Sequence, residues 1–421
     1  MSDVVAKLVP RPVWAGRTLA LIGVVMVAFN LRTLPGSLSP IFALINNEFA
    51  VPTLAIGIIG AIPPACFAIA SLVTPRIGRR IGIEWGLIVS LVFSLAGQLI
   101  RVFSHDWVGL AVGTSVALFG VGMGNVLLPP AIKKYFPDRI SLITGVYVSA
   151  MTLSAAIPPF VAYPLGDAVG WRWELVTWAV VTGIAFLPWL AQLRRDRRET
   201  NGIDHLGRHN RVRLNLWRSP TAVAITLTLA VSSLNGYIVN AWIPAAMIGI
   251  AGVTPATAGL FLALFAITGF PVALIIPTMV RRLPRTDIFV YASAVFHVTG
   301  YLGLLLWPHF VTGLWIVSLG LGGLIFPLTL TLMNLRTKST GASLQVSGFS
   351  QMGAYGAALF GPLIVGVLHE VTGGWTAFLI FMMAIAVCVI PAAIVLGRGR
   401  MIEDELSAVP QKISRRVPAQ N

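Results

Sequence analysis

The sequence Pro75-Arg76-Ile77-Gly78-Arg79-Arg80 ends a long apolar run, and it has a counterpart further along the chain. Pro277-Thr278-Met279-Val280-Arg281-Arg282 ends another apolar run and places its proline at the same distance from its arginine pair. The two stretches are roughly 200 residues apart, and a match at a fixed offset is the signature of an internal repeat.

Two further pairs of sequences occur at nearly the same offset and in the same order. They are Gly120-Val121-Gly122-Met123-Gly124 before Pro129 with Gly320-Leu321-Gly322-Gly323 before Pro327, and residues 165–171 with residues 367–375, which both end in Gly-Trp. Three matches in matching positions indicate that the chain arose by duplication of one unit.

The composition is that of a membrane protein. Of the 421 residues, 56% are hydrophobic and 11% are charged, and the mean hydropathy is +0.84, whereas soluble domains carry about 25% charged residues. The apolar runs are continuous over about 20 to 28 residues, as in membrane-spanning α-helices, and barrel strands instead alternate over about ten residues. We therefore predict an all-α polytopic membrane protein with twelve spans, at approximately residues 18–45, 53–74, 82–103, 107–131, 140–165, 172–193, 220–247, 254–280, 287–306, 310–334, 341–368 and 374–396.

The twelve spans form two groups of six around a polar stretch. Residues 194–218 contain eight arginines and no apolar run, so they are predicted to be a linker. The predicted regions are an N-terminal six-helix bundle (1–193), a cytoplasmic linker (194–218), a C-terminal six-helix bundle (219–397) and a cytoplasmic tail (398–421). The first apolar run is too long for a signal peptide and lacks a small-residue cleavage site, so we expect it to remain as the first span.

The net charge of +15 reports membrane topology and does not indicate nucleic-acid binding. Every Lys and Arg except Arg32, Arg101 and Arg172 falls in a predicted loop or terminus on one side of the membrane. By the positive-inside rule this side is cytoplasmic, so both termini are cytoplasmic and the number of spans is even. Cys66 and Cys388 fall in apolar spans, which indicates neither a disulfide nor a metal site.

Arg32 is predicted to lie near the middle of the first span, in Ala28-Phe29-Asn30-Leu31-Arg32-Thr33-Leu34-Pro35-Gly36. A cation at this depth costs about 2.5 to 3.5 kcal/mol on insertion scales. All Asp and Glu residues map to loops, termini or helix ends, so no carboxylate is predicted to neutralise it. The planar five-donor guanidinium suits a substrate anion, and we favour that role. The alternative is a structural role, in which Arg32 bonds helix carbonyls near Pro35 or a polar group of the second bundle.

Other polar residues near mid-depth are candidates to orient a solute. They are Asn30, Asn125, Tyr147, Ser149, Asn235, Tyr237, Asn240, Gln351 and Tyr355. For each of them, a helix-to-helix hydrogen bond worth about 0.6 kcal/mol is as good an explanation as solute binding. We prefer Asn125, Asn235 and Gln351, and Asn235 falls within a few residues of the position in the seventh span that is equivalent to Arg32 in the first.

The sequence gives no clear proton relay. Proton-coupled transporters usually contain a membrane-embedded carboxylate, and none is predicted here. His297 in the ninth span is the remaining titratable candidate. We expect a structural or interfacial role for His297.

The glycine runs and the loop arginines have simpler explanations than ligand binding. No Lys-Ser/Thr follows Gly124, so a phosphate loop is not indicated, and Gly120 with Gly124 is expected to allow close helix packing. The loop residues expected to set topology and gate the cytoplasmic side are Arg76, Gly78, Arg79, Arg80, Arg281 and Arg282. In the state closed on that side, these arginines are expected to cap helix C-termini.

The chain resembles the major facilitator superfamily in its twelve spans, its two six-helix halves and the basic loop Arg76-x-Gly78-Arg79-Arg80 between spans two and three. Pro75 stands where that superfamily usually has an acid and Ser71 where it has a glycine, so the acid's pairing with a neighbouring helix is not carried over. Asn30-Leu31-Arg32 with Pro40, and Gly124-Asn125-Val126-Leu127-Leu128-Pro129 followed by Lys133, resemble the bacterial cyanate and 2-nitroimidazole transporter family.

The resemblance implies a major facilitator fold and movement of a small solute by alternating access. It also implies that the third helix of each three-helix repeat, which includes the helix of His297, is a scaffold that faces lipid. With Arg32 as anchor, we expect a secondary or facilitative transporter of a small monoanion, either cyanate-like, nitrate-like or a small carboxylate. The alternative is a proton-driven exporter of a small drug-like or nitroimidazole compound. An enzyme would need clustered catalytic groups, and a receptor would need a larger output domain. We expect a monomer without cofactor or metal in the bacterial inner membrane, whose partners are the solute and the lipid bilayer.

Overall fold

The computed structural model describes residues 17–38, 41–49, 53–199, 214–283 and 285–407, and within them the chain is helical with no strand. The helices are α1 (Thr18–Ser37), α2 (Phe42–Asn46), α3 (Thr53–Ile81), α4 (Ile83–Val102), α5 (Trp107–Tyr135), α6 (Ile140–Val169), α7 (Trp171–Glu199), α8 (Pro220–Ala251), α9 (Pro255–Arg282), α10 (Asp287–Leu306), α11 (Thr312–Gly322), α12 (Ile325–Leu335), α13 (Thr340–Thr372), α14 (Thr376–Val387), α15 (Ile390–Leu396) and α16 (Ile402–Ser407). We call α1 to α7 the N-terminal set and α8 to α15 the C-terminal set.

Each predicted span corresponds to a helix or to a pair of short helices. Nine helices of the described chain are long and apolar enough to cross a membrane, and shorter apolar stretches occur at Thr18–Leu34 and Ile140–Ala155. The first span is not the single helix predicted over residues 18–45, because α1 ends at Ser37 and α2 begins at Phe42. Pro40 lies between them in the sequence, and a helix usually ends before the residue that precedes a proline.

Two polar regions contain more helix than predicted. The helix α7 continues to Glu199, six residues into the predicted linker, because Arg and Glu are good helix formers in a polar segment. The predicted tail contains α16, whose first turn carries Glu403, Asp404 and Glu405. The described residues do not include the N-terminal segment 1–16. They also do not include the rest of the predicted linker, 200–213, or the rest of the predicted tail, 408–421.

Glycines allow α4 and α5 to pack closely, as predicted for Gly120. A Cβ atom at Gly120 would lie 2.5 Å from the Ser90 carbonyl oxygen, and one at Gly97 would lie 2.1 Å from the Ala117 nitrogen. The Ser90 hydroxyl also donates a hydrogen bond of 2.8 Å to the Gly120 carbonyl. These contacts leave no room for side chains, so close backbone approach explains this glycine run.

The N- and C-terminal sets meet along α3, α5 and α6 on one side and α13 and α9 on the other. We call this contact the seam, and we call the end of the molecule with Arg79, Arg80, Lys133 and Arg281 the basic end. Near that end a Cβ at Gly348 would lie 2.2 Å from the Pro75 ring. The seam is therefore tightly closed at the basic end.

Hydrogen bonds reinforce this closure. The Ser347 hydroxyl donates to the Val126 carbonyl at 2.9 Å, and Lys133 donates to the Asn334 carbonyl at 2.7 Å. On the α6 and α9 side, Arg281 donates to the Asp138 carbonyl at 3.3 Å.

Candidate functional site

Arg32 of α1 faces Phe326 and Tyr237 of the C-terminal set and is only partly buried. Its guanidinium carbon lies 6.0 Å from the centroid of the Phe326 ring. Its charge acts on the hydroxyl groups of Tyr237 and Tyr355, which both lie within electrostatic range of the guanidinium. Among the described residues no acidic side chain forms an ion pair with Arg32. Its charge is thus surrounded by aromatic rings and phenol groups.

Tyr355 joins Arg32 to residues of both sets. Its hydroxyl accepts a hydrogen bond of 3.0 Å from the Asn125 amide, and its ring packs edge-on against Phe67 at 5.2 Å and Tyr237 at 6.4 Å between centroids. Tyr147 lies close enough for electrostatic interaction with the Tyr355 hydroxyl. We call Arg32, Asn125, Tyr147, Tyr237 and Tyr355 the central cluster.

Asn30 and Asn235 point away from the central cluster. Asn30 accepts a 2.6 Å hydrogen bond from Thr182 of α7, and Asn235 donates one of 2.8 Å to the Tyr301 hydroxyl of α10. Each asparagine lies two residues before a cluster residue, and two positions on an α-helix are separated by about 200°. Asn30 and Arg32 therefore face nearly opposite sides of α1, as Asn235 and Tyr237 do on α8.

The other predicted residues differ in their accessibility. Gln351 is buried and donates to the Asn125 carbonyl at 3.0 Å and to the Ser347 hydroxyl at 2.9 Å. Ser149 is buried, and its hydroxyl has no hydrogen-bond partner within the described ranges. Asn240 is exposed and bonds the Gly236 carbonyl of its own helix. Gln351 thus belongs to the seam beside the cluster, whereas Asn240 is free to face solvent.

The predicted gate residues lie at the basic end, but they make different contacts. Gly78 packs on Leu344 across the seam. Arg281 donates a hydrogen bond across the seam to the Asp138 carbonyl. Arg76 bonds the Leu72 carbonyl of its own helix, and Arg79, Arg80 and Arg282 end α3 and α9.

His297 does not face lipid, in contrast to our expectation for its helix. It is 1% exposed and packs against Gly322, where a Cβ would lie 2.6 Å from its Nε2 atom. Its ring stacks on Tyr301 with 6.4 Å between centroids, and its Nδ1 is 3.3 Å from the Ser293 hydroxyl. His297 therefore packs between α10 and α11, a place that fits a structural role.

Arg101, which the sequence placed at a helix end, is fully buried. It lies within electrostatic range of Glu174, which is also buried and accepts a hydrogen bond from Trp178. Arg101 therefore has a nearby carboxylate, and this separates it from Arg32.

Sequence reasoning missed Phe326 and Lys133. An apolar residue such as Phe326 carries no signal in an apolar span. Lys133 follows the Gly124-to-Pro129 motif at the end of α5, and its position in a basic loop concealed its contact with the C-terminal set.

A family model described as Major Facilitator Superfamily matches residues 20–344. The chain belongs to the major facilitator superfamily. It is therefore a multi-pass membrane transporter and not an enzyme. The solved structure of the transporter FucP in the outward conformation has the same fold, with a TM-score of 0.64 at 14% identity, and the match covers 91% of this chain and 98% of FucP.

Curated relatives within the superfamily are similar over most of their length. The chain is 30% identical to the uncharacterized transporter YycB of Bacillus subtilis (strain 168), over 90% of this chain and 94% of the relative. It is 30% identical to the 2-nitroimidazole transporter of Escherichia coli (strain K12), over 86% of this chain and 90% of the relative. It is 25% identical to the cyanate transport protein CynX of the same strain, over 84% of this chain and 91% of the relative. The resemblance drawn from Asn30-Leu31-Arg32 is thereby confirmed.

Proposed function

We propose that this superfamily member moves a small organic or inorganic monoanion across the bacterial inner membrane, with Arg32 as the anion anchor. The substrate class is cyanate-like, nitrate-like or a small carboxylate. The observation that carries the proposal is the partly exposed guanidinium of Arg32 at the seam, which forms no ion pair with a described acidic side chain. One central positive charge suits one negative charge on the solute.

The surroundings of Arg32 support an anion more than a cation. Tyr237 and Tyr355 offer phenol groups that donate hydrogen bonds, and Phe326 covers the guanidinium with an apolar ring. A relative is named for cyanate and a partial match is named as a probable nitrate transporter of Staphylococcus carnosus (strain TM300). Cyanate and nitrate are both small monoanions.

The closed basic end suggests the state of the transport cycle. By the positive-inside rule the basic end faces the cytoplasm, as do both termini. The described contacts across the seam at this end then correspond to a protein closed toward the cytoplasm. Transport follows by rocker-switch alternating access, in which the two six-helix bundles rock about the central cluster. We propose that the monomer carries out this cycle.

The proposal is tested with purified protein and a panel of potassium cyanate, potassium nitrate, potassium acetate and uncharged 2-nitroimidazole. Thermal stability is measured for the wild type, for Arg32→Gln and for Arg76→Gln, an exposed arginine that bonds its own helix. A charge-assisted hydrogen bond contributes about 1.5 to 3 kcal/mol, so we expect Arg32→Gln to bind the stabilising anion at least about tenfold more weakly. Arg76→Gln should respond as the wild type does. An anion that stabilises Arg32→Gln as much as the wild type would refute the role of Arg32 as the anion anchor.

A second candidate is a proton-driven exporter of a small drug-like or nitroimidazole compound. The 30% identity to the 2-nitroimidazole transporter favours it. In that case uncharged 2-nitroimidazole alone should raise the melting temperature, and a proton gradient should drive its movement in proteoliposomes. Measuring the proton-driven movement of 2-nitroimidazole in His297→Ala as well shows whether the buried histidine carries the proton.

A further inference from the structure

Two asparagine–tyrosine hydrogen bonds of the same chemistry occur among the described residues. The Asn235 amide donates to the Tyr301 hydroxyl at 2.8 Å, and both residues belong to the C-terminal set. The Asn125 amide donates to the Tyr355 hydroxyl at 3.0 Å, and this bond crosses the seam from α5 to α13. The two pairs share donor, acceptor and burial, and they differ in their distance from Arg32.

The Asn125 bond determines what the Tyr355 hydroxyl can do. A phenol has one donor hydrogen and acceptor lone pairs. Asn125 occupies an acceptor position, and no acceptor in the described part of the chain takes the Tyr355 hydroxyl hydrogen. The Arg32 charge acts on this hydroxyl, so the uncommitted hydrogen lies within electrostatic range of the guanidinium.

The ring of Tyr355 is held in place as well. Phe67 of α3 contacts it edge-on at 5.2 Å and Tyr237 of α8 at 6.4 Å between centroids, and Tyr355 is 3% exposed. With the ring fixed on two sides and the oxygen fixed by Asn125, the remaining freedom is rotation of the O–H bond. A donor fixed in advance loses little entropy when it binds a ligand.

We propose that Tyr355 donates its hydroxyl hydrogen to the anion held by Arg32 and that Asn125 is the positioning residue that aims it. This inference rests on the function proposed above. Because Asn125 and Tyr355 come from different sets, the anion site is complete only while the seam is closed around them. The structure thus assigns the selectivity for anions that accept directional hydrogen bonds, such as carboxylate or nitrate, to a contact between the two sets.

The test is a double-mutant cycle on the dissociation constant of the anion that stabilises the wild type, taken from cyanate, nitrate and acetate. Tyr355→Phe and Asn125→Leu are near in shape to the native residues and remove only the hydroxyl and the amide. We expect Tyr355→Phe to weaken binding by about tenfold or more. Asn125→Leu should weaken binding severalfold alone and have no further effect in the Tyr355→Phe background, because its action passes through the hydroxyl.

The control is the matched cycle of Tyr301→Phe and Asn235→Leu, which removes the same hydrogen bond from the C-terminal set and should leave the dissociation constant unchanged. Melting temperatures without ligand separate weaker binding from misfolding, and Asn125→Ser replaces Asn125→Leu if the latter does not fold. Wild-type affinity in Tyr355→Phe, or additive effects of the two substitutions, would overturn the inference. If Arg32→Gln then still abolishes binding, the anion anchor stands; if it also binds normally, the proposed function fails as well.

Discussion

Lys133, at the end of α5, donates hydrogen bonds to both the carbonyl and the hydroxyl oxygen of Thr337, which lies 204 residues further along the chain. The hydroxyl contact measures 2.9 Å. The same ammonium reaches the Asn334 carbonyl and lies within range of the Glu403 charge. One lysine of the N-terminal set is therefore held by several acceptors of the C-terminal segments at the basic end.

Removal of Lys133 is expected to open the basic end. Lys133→Gln eliminates the ammonium and its contacts with Thr337, and hydrogen bonds to charged groups contribute about 1.5 to 3 kcal/mol each. Opening is measured by maleimide labelling of Leu344→Cys, a residue buried against Gly78 at the seam, in a background in which Cys66 and Cys388 are alanine. We expect labelling to be faster in Lys133→Gln.

The neighbouring lysine provides the control for this prediction. Lys134 pairs with Glu84 inside the N-terminal set at 2.6 Å, so Lys134→Gln removes an equal charge and one ion pair without touching the seam. Its labelling rate should equal that of the unmodified background. Equal acceleration in both variants would assign the effect to lost charge and not to the contact with Thr337.

Gly348→Ala is expected to disfavour the closed basic end. Its Cβ would lie 2.2 Å from the Pro75 ring and 2.9 Å from the Ser71 carbonyl oxygen, so α13 and α3 would have to separate. We expect a lower transport rate and faster labelling at Leu344→Cys. Overpacking of this kind costs about 1 to 3 kcal/mol.

Gly341→Ala on the same helix is the matched comparison, because within the described chain no atom outside its own stretch of α13 lies within 4 Å of its Cβ position. Since Ala is the better helix former by about 1 kcal/mol, that variant should be unchanged or slightly more stable. Normal transport in Gly348→Ala would show that the seam accommodates a methyl group and that the close contact with Pro75 is unimportant for the cycle.

Asp138, in the loop between α5 and α6, is expected to make stability depend on pH. Burial alone would raise the pKa of Asp138, but the hydrogen bond and charge of Arg17 outweigh it and hold the pKa below its usual value. A lowered carboxyl pKa contributes stability above the unfolded pKa of about 4, and this contribution is lost as the pH falls through the folded value. Asp138→Asn should therefore cost about 0.5 to 1 kcal/mol at pH 7 and progressively less below about pH 4.

Melting temperatures of wild type and Asp138→Asn from pH 7 to pH 3 measure this difference. Asp167→Asn, at an exposed position near the end of α6, removes one negative charge away from the Arg17 pair and provides the comparison. A constant gap between Asp138→Asn and wild type at all pH values would contradict an ionic contribution of the Arg17 pair.

Part of the candidate site was predictable from the sequence. Arg32 carries a formal charge in an apolar run, a signal that needs no tertiary information, and the central cluster contains Asn125, Tyr237 and Tyr355 as well. The preference for Asn235 illustrates what the sequence lacks. Its side chain bonds Tyr301, and Tyr237, two residues later, turns to Arg32 instead.

The amino-acid sequence by itself determined the apolar segments and the cation among them, because the length and hydropathy of a segment, which govern its transfer into lipid, are properties of the chain in one dimension. The tertiary structure alone decided which polar side chains meet Arg32 and where the two sets join. Those outcomes depend on the rotation of each helix about its axis, and a step of two residues turns a side chain by about 200°. For the same reason the contact of Lys133 with Thr337 could not be predicted from the sequence. The two residues are adjacent only after α5 and the C-terminal segments have packed together.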